Sequence, residues 1–212
     1  MNAPVDPHLY LAFLGVMAVM AVTPGPANLF AVATGAGRGR AAALTAVVGM
    51  NAATLVWFGA AALGLGALVA ALPQVFWLIA VVGALYVAWL GLSAILRALQ
   101  PETGAAEPVL PSAPRRRGAL LDGFAVQIAN PKAVLFFTAV LPPFVDGARP
   151  LGPQLILFAL AVALMDGLAM SAYGLGGAAL SAALARPGFR RGFGLASGAL
   201  LLLAAALIAS RL

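Results

Sequence analysis

"GFAVQIANPKAVLFF", residues 123–137, places Asn130, Pro131 and Lys132 inside an otherwise apolar stretch. A proline there removes a backbone donor, and a lysine in apolar surroundings demands a physical reason. What surrounds this stretch has to be settled first.

Composition settles it. The chain has 212 residues, 63% of them hydrophobic and 8% charged, with a mean hydropathy of +1.04. A soluble domain carries roughly a quarter charged residues, so this chain cannot clothe itself in polar surface. Runs of about 20 apolar residues, the length that crosses a bilayer core, recur along nearly the whole sequence. Lipid offers the backbone no hydrogen bonds, so such spans are helical. The sequence reads as an all-α integral membrane protein.

Six apolar segments are expected near 9–34, 41–71, 75–97, 119–142, 151–184 and 190–210. Several exceed the minimum crossing length, which predicts tilt or interruption. Residues 98–118, "ALQPETGAAEPVLPSAPRRRG", hold both glutamates and an arginine triplet, and form the one linker. It divides a single transmembrane domain, 1–212, into halves 1–97 and 119–212 with three spans each. The N-terminus "MNAPVDPHLY" has no Lys or Arg ahead of its apolar run, so no cleaved signal peptide is expected.

The net charge is +6, but the arginines sit between apolar runs, which points to membrane topology and away from nucleic acid. Arg38 and Arg40 lie in the first connection. Arg97, Arg115, Arg116 and Arg117 lie in or beside the linker, and Arg186, Arg190 and Arg191 in the last connection. The alternate connections hold only Arg149, and the C-terminus only Arg211. The positive-inside rule puts the linker and the other rich loops in the cytoplasm and both termini outside. Three spans per half also give the halves opposite orientations, the arithmetic of an inverted repeat.

The first and fourth spans are expected to be broken. "TPGPANLF", residues 23–30, contains Pro24, Gly25 and Pro26, and "ANPKAVLF", residues 129–136, contains Asn130, Pro131 and Lys132. A shift of 106 brings Leu29 onto Leu135 and Phe30 onto Phe136, with the breaks ahead of them in the same order. Matched breaks in two halves point to a transport site. Each break frees backbone groups that must face protein, water or ligand, and the half-helix that follows offers unpaired N–H groups and a positive dipole end. The competing reading is a pair of kinks that only shape packing.

Lys132 falls midway through its span, where a charge costs at least about 2.5 kcal/mol, so it needs an anionic partner. Asp166, in "ALAVALMDGLAMSAYG" (159–174), is the only acid deep in a span; Asp122 and Asp146 read as solvated or interfacial. Three roles are open to Asp166: neutralising Lys132, binding a substrate ammonium, or exchanging a proton. Asn28, Asn51, Thr54, Gln127 and Asn130 are candidates to line a cavity or to bond between helices. Phe30, Phe136 and Phe137 are candidates to wall it.

Other chemistries lack their residues. There is no cysteine and one histidine, His8, near the N-terminus, which removes zinc-protease pairs and a Ser-His dyad. An aspartyl protease needs two intramembrane acids. A small cation or metal exporter remains as an alternative, although hard cations want several oxygen anions. No cofactor and no resident metal are expected.

"TPGPANLF" and "GFAVQIANPKAVLFFTAVLPPFV" (123–145) resemble the two hallmark motifs of the LysE/RhtB family of bacterial amino-acid exporters, and the likeness extends over essentially the whole chain. The resemblance implies six helices and efflux of amino acids or close derivatives across the bacterial inner membrane by proton exchange. It carries Pro24, Gly25 and Pro26 onto the first motif and Asn130, Pro131 and Lys132 onto the second. The expected substrate site is these six with Asn28 and Asp166. An amino acid and membrane lipid are the expected partners, and a homo-oligomer is compatible with the reading. The family pattern also has an acid in the second span near Thr54, and this chain has none.

Overall fold

A computed structural model describes residues 4–71, 73–100 and 118–210 of the chain. Residues 101–117, including the Arg115–Arg117 triplet of the linker, lie outside the described residues. Every regular element described is helical: α1 Pro7–Val22, α2 Pro26–Arg38, α3 Arg40–Ala71, α4 Pro73–Leu99, α5 Ala119–Ile128, α6 Pro131–Leu135, α7 Leu151–Ala185 and α8 Pro187–Ala209.

Helix boundaries follow the prolines. Pro7, Pro26, Pro131 and Pro187 each sit in a first turn, where the missing N–H is not needed. Asp6 caps α1, its carboxylate accepting from the N–H groups of His8 (2.9 Å) and Leu9 (3.2 Å). After α6 the chain widens into one π turn, Phe136–Val140, in which the Leu141 N–H donates to the Phe136 carbonyl at 2.8 Å. Pro142 and Pro143 then stop it with a short 3₁₀ turn ending at Phe144. The consecutive residues Phe136 and Phe137, at the start of this wider turn, are both buried.

Among the described residues, Arg40–Gly64, Leu151–Gly176 and Pro187–Ala209 are each long and apolar enough to cross a membrane. The pairs α1 with α2 and α5 with the segment Pro131–Phe144 pass the same test as bent units, with bends of 45° and 47°. The expected third span is α4, of which Ala84–Leu99 is an apolar stretch. The outer surface fits lipid. Leu160, Leu164 and Leu168 on α7 are each 63% exposed, while Phe158 and Val162 on the same helix are buried. Leucines one turn apart facing outward, and apolar residues facing inward, place an apolar medium around the bundle.

Two buried clusters divide the interior. One is aromatic, built by Phe13, Phe58, Phe136, Phe137, Phe144 and Phe158, with the Phe13 and Phe158 rings 4.5 Å apart. The other is made largely of small residues, among them Ala27, Ala31 and Ala46, with Met50 and Tyr173. Its helices touch backbone to backbone. A methyl at Gly49 would come within 1.9 Å of the Leu120 carbonyl oxygen, and one at Gly123 within 2.1 Å of that of Ala46. Only glycine permits α3 and α5 to approach so closely. The two helix breaks lie between these clusters.

Candidate functional site

The first break is a consequence of donor accounting. In an unbroken helix the N–H groups of residues 24, 25 and 26 would bond the carbonyls of Met20, Ala21 and Val22. Pro24 and Pro26 have no N–H, and Gly25 takes an extended conformation (φ −147°, ψ 178°). Three polar side chains from three different elements replace the lost donors. The Lys132 ammonium, from α6, donates to the Met20 carbonyl and to that of Thr23 (3.0 Å). The Asn28 amide, from α2, donates to Ala21 (3.1 Å) and Thr23 (3.3 Å). The Tyr173 hydroxyl, from α7, donates to Val22 at 2.8 Å. The negative end of α1 is thus capped, in part by a cation, which is favourable for the helix dipole.

On the other side of this break α2 begins without a side-chain cap. Its first helical bond runs from the Leu29 N–H to the Gly25 carbonyl (3.0 Å), so the N–H groups of Ala27 and Asn28 have no partner within the helix.

The second break is closed by its own residues. The Asn130 N–H donates to the Gln127 carbonyl (3.2 Å), and the Asn130 side-chain oxygen accepts from the Lys132 N–H (3.0 Å). The Asn130 amide then donates to the Gln127 side-chain oxygen (2.9 Å), and Gln127 donates to the Thr54 hydroxyl (3.1 Å). Structurally, Gly25 and Asn130 hold the same place before a helix, as do Pro26 and Pro131. Matched on these helix starts, the two breaks are offset by 105 residues, against the 106 given by the Leu-Phe matches. Helix starts correspond here, and the matching pairs after them do not.

A small cavity of about 30 Å³ opens where the breaks meet, room for about one water. Gly25, Asn28, Asn130, Lys132 and Asp166 line it, with Thr54 and Gln127. Pro24, Pro26 and Pro131 are exposed and do not; they shape the breaks from outside the hollow. Phe136 and Phe137 line the cavity, whereas Phe30 belongs to the small-residue cluster. Asn51 turns away, donating to the Ala163 carbonyl at 3.4 Å.

Two sequence expectations change. Lys132 and Asp166 face the same cavity without a salt bridge, because freed carbonyls hold the ammonium instead. Asp122, expected at a solvated edge, is 3% exposed and pairs with Arg38 at 2.7 Å. Sequence reasoning also passed over Tyr173. Its signal was present: Asp166, Met170 and Tyr173 are spaced to share one face of α7, and Tyr173 alone there carries a hydroxyl.

The sequence profile of the LysE type translocator family matches residues 9–211. A Vibrio cholerae membrane protein described as uncharacterized is 29% identical over 182 residues, covering 85% of this chain and 84% of that one. The threonine efflux protein of Escherichia coli K12 is 32% identical over 137 residues, covering 65% of this chain and 66% of its own length. The leucine efflux protein of an Enterobacter species is 31% identical over 155 residues, covering 71% and 70%. No solved structure matches the chain at a significant level. With broken apolar helices meeting at a polar hollow and a profile match over nearly its full length, the chain belongs to the LysE type translocator family of membrane transporters, a family that includes amino-acid efflux proteins.

Proposed function

We propose that the protein exports amino acids from a bacterial cell by alternating access, with the substrate bound between the two breaks. One observation carries this reading: both breaks, a cation and an acid from separate helices open onto one hollow between two apolar clusters. The substrate carboxylate meets the N–H groups of Ala27 and Asn28 at the start of α2, beside the Lys132 ammonium. Its ammonium, or a proton moving in exchange, uses Asp166.

Lys132 has two alternative sets of partners in this scheme. Without substrate it caps α1; a carboxylate arriving at α2 competes with those carbonyls for its protons. Because the present hollow holds about one water, the breaks must part to admit an amino acid. A six-span inverted repeat is supported by bends of 45° and 47° at corresponding prolines. Placement in the inner membrane with both termini periplasmic is supported by the arginine-rich connections.

The test is a panel of radiolabelled amino acids in proteoliposomes with an imposed pH gradient. Transport of at least one amino acid, accelerated by the gradient, is expected, and Lys132→Ala and Asp166→Ala should each abolish it while still inserting. Wild-type transport by an inserted Lys132→Ala protein would remove the lysine from the mechanism. If single variants fail to fold and the double variant recovers, the two residues form a structural pair only.

A further inference from the structure

We infer that the site selects amino acids with uncharged side chains, and that Gln127 is the residue enforcing this limit; the inference rests on the carboxylate and ammonium placements proposed above. It comes from counting charges on the cavity wall. Lys132 and Asp166 are the charged residues that line it. Lys132 is shared between two carbonyls, and Asp166 makes no hydrogen bond or ion pair among the described residues. A zwitterion's two charges use both groups, leaving no counter-ion for a third.

The remaining polar wall is neutral and already committed. Lys132 N–H, Asn130, Gln127 and Thr54 form one chain of hydrogen bonds that ends with the Thr54 hydroxyl donating to the Met50 carbonyl at 3.2 Å. Gln127 is 4% exposed, with its oxygen and its nitrogen both engaged. The next acid along α5, Asp122, is locked to Arg38. A cationic or anionic side chain entering this wall would be desolvated without a partner, which is strongly unfavourable. Much of the remaining lining is apolar and soft: Met17, Met20, Met170, Val162, Phe136 and Phe137. Methionines adapt to different shapes, so discrimination by charge should exceed discrimination by size.

Gln127 can be converted to an acid without change of volume. A glutamate there still accepts from the Asn130 amide, and it accepts from the Thr54 hydroxyl once that donor leaves Met50. The wall then holds a second carboxylate, the missing partner for a basic side chain.

The experiment measures uptake of labelled leucine or threonine into proteoliposomes, competed by unlabelled leucine, threonine, lysine or glutamate, for wild type and Gln127→Glu. In the wild type, lysine and glutamate should compete at least about tenfold less well than the neutral amino acids. In Gln127→Glu, lysine should improve about tenfold while glutamate does not. Lysine competing equally in the wild type overturns the charge limit, and needs no variant. Lysine still excluded by an inserted, active Gln127→Glu protein overturns the role of Gln127. Absence of transport of any amino acid by the wild type would instead remove the export reading itself.

Discussion

The two helix breaks carry a proline at the same structural position and bend by nearly the same angle, 45° against 47°, yet they are finished differently. The second is preceded by Asn130, whose side chain caps its own helix. The first is preceded by Gly25, which has no side chain to do so. As a result the first break draws its hydrogen bonds from α2, α6 and α7, and the N–H groups of Ala27 and Asn28, two residues that line the cavity, have no partner within α2. A proline makes a break; the residue before it decides whether the break is sealed or receptive. One break supplies the cation and the other supplies the place where it rests.

The largest expected stability effect concerns the contact that ties the breaks together at a distance. Arg38 ends α2, which follows the first break, and Asp122 lies in the first turn of α5, which leads to the second. Their side chains are 30% and 2% exposed. Arg38→Met should therefore leave a buried carboxylate without this partner and cost about 3 kcal/mol, toward the low end for buried pairs. By contrast, the Arg149–Asp146 pair in the loop before α7 is about 30% exposed on both sides, and Arg149→Met should cost well under about 1 kcal/mol. Thermal unfolding in detergent separates the two. Equal losses would mean that α2 and α5 are not coupled through Arg38.

A second substitution makes the receptive break resemble the sealed one. Gly25→Asn places a capping amide at the start of α2. Its backbone is extended, so a side chain meets no conformational barrier, and an added methyl would lie 3.3 Å from Lys132 Cδ. The asparagine should take the N–H groups that the substrate carboxylate is proposed to use. Stability should hold or rise by a few tenths of a kcal/mol, while apparent substrate affinity falls about tenfold, equivalent to about 1.4 kcal/mol. Opposite signs for the two readouts are the signature. An unchanged affinity in a folded Gly25→Asn protein would show that the start of α2 does not hold the carboxylate.

Much of this was legible in the residues, and the rest was hidden for definable reasons. Prolines 24, 26 and 131 announce the breaks because a missing N–H acts locally. A lysine in an apolar run announces a partner, but not which partner. Asp166 is the evident candidate by charge, yet the freed carbonyls of Met20 and Thr23 are what Lys132 reaches, since carbonyl direction depends on how α1 and α6 cross. Leu29 and Phe30 suggested an offset one residue longer than the helix starts give, because side-chain identity is a weaker guide to correspondence than the position of a helix start. Asp122 looked interfacial from its place near a span end; it is buried and paired with Arg38 of α2, beside the close approach of α3 and α5 at Gly123, a tertiary fact that no local pattern records.

Tyr173 offers the finest test of how the two breaks differ. Its ring is packed in the small-residue cluster at 2% exposure, and its hydroxyl satisfies the Val22 carbonyl that Pro26 cannot. Tyr173→Phe keeps the ring and deletes one hydrogen bond, a loss of about 1 kcal/mol, or about 2–4 °C in the unfolding midpoint of a chain this size. Among the described residues the second break takes no hydroxyl from a distant helix onto its own carbonyls: the Gln127 carbonyl is met by the N–H groups of Ala129 and Asn130 beside it. The effect should therefore be specific to the first break, with transport retained and the midpoint lowered. A midpoint that does not move would mean that water reaches Val22 as well as tyrosine does. The first break would then be open to solvent rather than held by the rest of the bundle.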